Sequence, residues 1–130
     1  MGIKLISSIL LGIFPLGLLS CQGTEIRRDE IPCKPTSAIS DSPTVNGTIT
    51  IQWDFNRDDK LSGYRIYYGF SRKKYSECVD IGIPTESSPG FIKYTLIGLE
   101  RGKRYYIALI AYDKNHNESA FSEEISSVAK

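Results

Sequence analysis

From Val45 onward, apolar and polar residues alternate in short runs. Ile49, Ile51 and Trp53 share one side of a run, and Thr50 and Gln52 take the other. Tyr64, Ile66 and Tyr68 alternate with Arg65 and Tyr67, and Tyr94 and Leu96 alternate with Lys93 and Thr95. Tyr105, Ile107, Leu109 and Ala111 share a side of the longest run. Successive side chains of a strand point to opposite faces, so a period of two predicts strands with one face buried. Weaker strands are predicted over Tyr75 to Ile81 and Phe121 to Val128. Gly, Pro, Asn and Asp clusters punctuate the runs at Asn56 to Asp59, Pro84 to Gly90 and Asp113 to Asn117. After the first twenty or so residues no helical period is present. An all-β sandwich follows, with Trp53, Tyr64, Ile66, Tyr94, Leu96 and Ile107 enclosed between two sheets.

The chain before Val45 reads differently. Residues 22–43 hold Glu25, Arg27, Arg28, Asp29 and Glu30, then Pro32, Pro35 and Pro43 among serines. Apolar residues are sparse and follow no period, so residues 21–43 are expected to form a flexible tether and 44–130 the folded domain. Prolines would keep such a tether partly extended. Ahead of it, Lys4 precedes an uncharged apolar run, Leu5 to Leu19, interrupted by Gly12, Pro15 and Gly17. A spanning helix needs about 20 apolar residues, so length and flanks favour a cleaved secretory signal over an uncleaved anchor.

Leu18-Leu19-Ser20-Cys21 resembles the lipobox of a bacterial lipoprotein precursor. The resemblance implies cleavage before Cys21, loss of residues 1–20, and acyl chains of the palmitate kind on the Cys21 thiol and the new amine. The lipid bilayer is then a partner, and the bacterial cell envelope the compartment. Each buried methylene adds about 0.8 kcal/mol, so several acyl chains on one cysteine would hold firmly. In the enterobacterial sorting rule an aspartate after the cysteine favours the inner membrane, so Gln22 points toward the outer one.

Charge narrows the partners. The chain has 16 basic and 15 acidic side chains, and Lys4 is the only charged one in residues 1–20. A chain starting at Cys21 is formally neutral. Such a balance gives no field to draw in DNA or RNA, and little polybasic help at a membrane. Of the three cysteines, lipid would claim Cys21. Cys33 and Cys78 are then either a disulfide in an oxidising compartment or two unrelated thiols. With one histidine and no close ligand pairs, no metal or cofactor is expected.

Leu99-Glu-Arg-Gly102-Lys-Arg-Tyr105-Tyr-Ile107-Ala-Leu109-Ile-Ala111 is similar to the turn into strand F of a fibronectin type III domain. Trp53 resembles that family's strand B tryptophan, and Gly63-Tyr64-Arg65-Ile66-Tyr67-Tyr68 its strand C. Asn117-Glu118-Ser119-Ala120-Phe121-Ser122 resembles the start of strand G. The resemblance covers about residues 43–128 and implies a seven-stranded, immunoglobulin-like sandwich. Trp53, Tyr64, Leu99, Gly102 and Tyr105 would be its structural residues. Tyr105 would form the tyrosine corner, its hydroxyl bonding backbone near the preceding turn. Arg101 stands where the family usually has proline.

Strand alternation turns Tyr106, Ala108, Ile110 and Tyr112 outward, beside Arg65 and Tyr67. Strands facing water normally carry polar residues there, and Tyr and Arg are enriched at binding hot spots, so this face is the candidate binding surface. The competing reading has the rings packing on one another, or the tether folding back over them. The Asp113 to Asn117 loop lacks the Arg-Gly-Asp of integrin-binding relatives, and His116 on it reads as solvated. Asp54 to Asp59 fails as a calcium loop. Asp59 replaces the turn glycine, and Arg65 occupies the bidentate glutamate position. Phosphate loops, nucleophile elbows and zinc spacings are absent, so no enzyme is expected. Three functions fit: a non-catalytic module binding an envelope protein or glycan, a structural spacer or scaffold subunit, and an accessory subunit of a carbohydrate-active enzyme.

Overall fold

The computed structural model describes residues 31–36, 46–55 and 58–130. The expected signal segment 1–20, Cys21, Gln22 and most of the expected tether lie outside the described residues.

The described chain is all-β, with seven strands: β1 (Cys33–Pro35), β2 (Gly47–Asp54), β3 (Leu61–Gly69), β4 (Glu77–Gly82), β5 (Phe91–Leu99), β6 (Arg104–Asp113) and β7 (Ile125–Val128). A five-stranded sheet, ordered β1-β4-β3-β6-β7, faces a two-stranded sheet of β2 and β5. The main strands bury the faces their alternation predicts. Ile49, Ile51 and Trp53 of β2 and Ile92 and Leu96 of β5 meet Tyr64, Ile66, Val79, Ile107, Leu109 and Ala111 of the larger sheet. Trp53 stands edge-on to Tyr64, with ring centroids 5.4 Å apart. Its buried Nε1 finds no hydrogen-bond partner among the described residues.

A bulge and a turn depend on glycine. Gly98, at φ +75°, lies where the β2–β5 register slips between Gly47↔Leu99 and Ile49↔Leu96. The extra residue switches the buried parity, so Leu99 points inward although Leu96 does too. Gly102, at φ +77°, occupies the third position of the turn Glu100 to Lys103, closed by Lys103 N–H to Glu100 O at 3.3 Å. That position of a type II turn needs positive φ, and the preceding one favours proline, which explains the family habit that Arg101 breaks.

Two expectations change. The segment read as a tether is part of the sandwich at Cys33–Pro35, where β1 pairs in parallel with β4. With this strand the described residues hold seven. The predicted strand from Phe121 starts only at Ile125. Ahead of β7, serine hydroxyls replace ladder carbonyls: Ser119 Oγ and Ser122 Oγ each accept a backbone N–H, from Ala111 and Leu109, both at 2.9 Å. The serines return their own N–H groups to Ala111 O and Leu109 O. The β6 edge is satisfied without a regular strand beside it.

Candidate functional site: the outer face of the five-stranded sheet

The face predicted to bind is largely covered. Tyr67 is 2% exposed and Ile110 0%. With Tyr75, Cys78 and Ala108 they form a second small core, packed against Ile31, Cys33 and Phe121. Phe121 meets Tyr67 edge-on at 5.1 Å and Tyr75 at 5.3 Å. The open aromatic surface expected around Tyr67 and Ile110 is therefore corrected, because the chain before β2 and the β6–β7 connection lie over it. Apolar side chains in mid-strand do not stay wet when short segments of the same chain can reach them.

A covalent bond holds this cover. Cys33 and Cys78 are directly opposed in the β1–β4 register and form a disulfide, with Cα atoms 4.4 Å apart. The Tyr67 hydroxyl lies 3.8 Å from Cys33 Sγ. Glu124 fastens the other flank by accepting the Tyr75 hydroxyl and the Lys73 N–H, both at 2.6 Å. Burial and that carboxylate together push the Tyr75 phenol well above its ordinary value.

Arg65 and Tyr112 remain half-buried at one end of the face and are brought together. The guanidinium lies 4.5 Å over the Tyr112 ring. Arg65 pairs with Asp80 at 3.2 Å and with Glu118, while the Tyr112 hydroxyl donates to Asp80 at 2.8 Å. Burial by itself would lower the Arg65 pKa. The Asp80 hydrogen bond and the Asp80 and Glu118 charges outweigh it, leaving the group above its usual value. Burial, then Asp80, raises the Tyr112 phenol, and Arg65 opposes them. Gly63 makes room for this ring, since a side chain there would collide with it. At the opposite end, Tyr106 is half-buried, with the Arg72 guanidinium 5.9 Å from its ring centre. Tyr106 and Tyr112 are thus parted by the covered centre.

Leu99, Gly102 and Tyr105 lie at and around the β5–β6 turn. The Tyr105 hydroxyl accepts the Glu100 N–H at 2.9 Å, five residues back, and Leu99 is 1% exposed. Across the inner face, burial and then Glu77 push Tyr68 up to about 12. The Asp113 to Asn117 loop is more ordered than a solvated turn requires. The Asp113 carboxylate accepts the N–H groups of Asn115 and Asn117 and the Asn117 side-chain amide, at 2.8 to 2.9 Å. These bonds, the Asn117 side chain first, hold its pKa below the ordinary carboxylate value. His116 is exposed at φ +62°.

Sequence reasoning missed Asp80, Glu118, Tyr75, Phe121 and Glu124. Asp80 alternates with apolar residues in a predicted strand, which marks it as outward, but nothing local shows that Arg65 and Tyr112 converge on it. Among the described residues no cluster of metal-ligating side chains is present. A cavity of about 20 Å³, lined by Ile51, Trp53, Ile107, Leu109 and Ser122, has the room of a single water.

No protein-family model and no curated protein matches the chain. Among solved structures, the FN1–FN3 domains of chicken CNTN1 superpose with a TM-score of 0.50 at 18% identity, over 75% of this chain and 32% of that one. The β-1,2-glucanase from Parabacteroides distasonis gives 0.46 at 24% identity, over 67% of this chain and 12% of the enzyme. The third fibronectin III domain of human KIAA0343 protein gives 0.42 at 18% identity, over 89% and 93%. This chain spans about a third of the chicken fragment, and likeness at such identity is a likeness of fold. On sheet topology, the Tyr105–Glu100 bond and structural likeness, the described chain has the all-β, immunoglobulin-like sandwich fold that fibronectin type III domains share.

Proposed function

We propose that this protein is a lipid-anchored lipoprotein of the bacterial envelope, held through acylated Cys21. Its sandwich binds a protein or glycan partner without catalysis. Gln22 favours the outer membrane over the inner one in hosts that follow the aspartate rule. The observation that carries the binding reading is the Arg65–Tyr112 pair. Asp80 and Glu118 fix both side chains before any partner arrives, so little rotamer entropy is lost when one binds. Ile83, 54% exposed just beyond β4, gives that end an apolar contact.

A photoreactive residue at Ile83 tests it in cells. It should crosslink one partner, while the same residue at Thr50, on the outer face of β2, should not. Equal labelling at both positions, or at neither, contradicts the reading. Fatty-acid labelling tests the anchor, since Cys21→Ala should take up no label and should leave the membrane fraction in a high-salt wash.

The covering of Tyr67 and Ile110 favours a second reading, in which the sandwich is a spacer. Absence of any crosslink from Ile83, with membrane anchoring intact, would select it.

A further inference from the structure

The charges of the sandwich are sorted by end. The β3–β4 loop carries Arg72, Lys73 and Lys74, and the β5–β6 turn with the start of β6 carries Arg101, Lys103 and Arg104, all exposed. The fold brings the two groups together. The Phe70 ring lies 4.8 Å from Tyr105, and Arg72 lies over Tyr106. Lys130 joins them, its backbone paired with Thr48 at the start of β2. Of the carboxylates nearby, Glu77 is paired with Lys34 and Glu124 is held by Tyr75 and the Lys73 N–H, leaving Glu100 on the turn. The opposite end holds Asp54, Asp58, Asp59, Asp80, Asp113 and Glu118 against Lys60, Arg65 and Lys114, with Arg65 paired to Asp80 and Glu118.

A chain of nearly balanced charge, 16 basic and 15 acidic side chains, thus has a basic end and an acidic end. A strand the length of β6 spans roughly 30 Å at about 3.3 Å per residue, several times the Debye length of about 8 Å at physiological salt. A charged surface touching one end does not sense the other, so net neutrality does not cancel the attraction. Phe70, 54% exposed, projects from the same end. The N-terminal chain also arrives there: β1 runs parallel to β4, which starts from the basic loop, so Ile31 enters on that side. From Cys21 to Ile31 the chain reaches at most about 35 Å.

We propose that this basic end is a docking surface for an anionic phospholipid membrane. Its Lys and Arg side chains face headgroup phosphates and Phe70 enters the interfacial layer. Aromatic rings favour that layer, and each basic side chain near an anionic leaflet contributes about a factor of five in binding. A nucleic acid could meet the same charges, but arrival of the chain from Cys21 at this end favours the lipid. The lipoprotein reading supplies the membrane. The docking itself does not need the acyl chains.

Binding to vesicles tests this with the full chain carrying Cys21→Ser, which cannot be acylated. Phosphatidylcholine vesicles with phosphatidylglycerol should bind it more tightly than phosphatidylcholine alone, and added salt should remove the difference. Lys74→Glu with Arg101→Glu should weaken binding to the anionic vesicles by roughly thirtyfold or more, with melting unchanged. Lys60→Glu with Lys114→Glu, equal in net charge, should leave it within about twofold, because those residues lie beyond the screening distance. Equal binding to both vesicle types, equal loss from both pairs, or tighter binding to a single-stranded oligonucleotide than to the vesicles would overturn the proposal. Because acylation is absent from every arm, loss of fatty-acid labelling at Cys21 would remove the anchor and leave this result standing.

Discussion

The inner face of the five-stranded sheet packs against β2 and β5, two long strands joined along their length. Its outer face packs against Ile31, Cys33 and Phe121, which come from short segments, one of them tied down by a disulfide. Both sides exclude water from β6, where Ile107 and Ile110 point in opposite directions and are equally buried. The inner core is closed by repeated backbone pairing. The outer one depends on a three-residue strand, one covalent bond and the Glu124 contacts. Equal burial therefore does not mean equal resistance to opening.

Truncation should expose the difference. Ile66→Ala, enclosed between the sheets, should cost about 4 kcal/mol in a denaturant titration. Ile110→Ala should cost about 2 kcal/mol, because its loosely held cover can settle into the space. Equal losses would mean that the two cores are equally rigid.

Removing the disulfide tests the cover itself. It closes a loop with a sequence separation of 45, for which chain entropy gives roughly 4 kcal/mol at most and engineered cases usually less. Cys33→Ser with Cys78→Ser should therefore destabilise the domain by about 2–4 kcal/mol. Hydrogen exchange should accelerate in β1 and the outer half of β4 before it does in β2 or β5. Uniform acceleration would show that the two cores open as one.

Smaller effects belong to the polar contacts at the ends of the strands. Tyr105→Phe should lose about 1 kcal/mol through the missing bond to Glu100 N–H, and an unchanged denaturation midpoint would dismiss the corner. Asp113 has a folded pKa below its unfolded value near 4, so its contribution is present above about pH 4 and fades as pH falls through the folded value. Asp113→Asn should flatten that part of the acid denaturation profile. An identical acid profile would mean that the loop bonds contribute nothing.

Much of the inner core could be read from the chain, because a sheet with one buried face writes its packing as a period of two. The outer core was hidden by the same rule. Tyr105 to Tyr112 is apolar at nearly every position, which is how a strand buried on both faces reads. Taken as an alternating strand with one wet side, it makes Tyr67 and Ile110 look like a docking surface. Cys33 held a clue to the cover, since it lies in the supposed tether while Cys78 lies in a predicted strand. A bond between them must bring the tether onto the sheet. The Arg65–Asp80–Tyr112 cluster was less accessible to such reading. It joins three strands, and local periodicity carries no information about which outward residues become neighbours. Charge sorting was concealed for a related reason, because a sum over the sequence discards position.

Tyrosine nitration followed by peptide mapping tests the two-faced burial of the sheet most directly. In the oxidised protein Tyr67 should resist nitration while the half-exposed Tyr106 reacts, and reduction with a dithiol should make Tyr67 reactive. Nitration of Tyr67 as fast as Tyr106 with the disulfide intact would contradict the account.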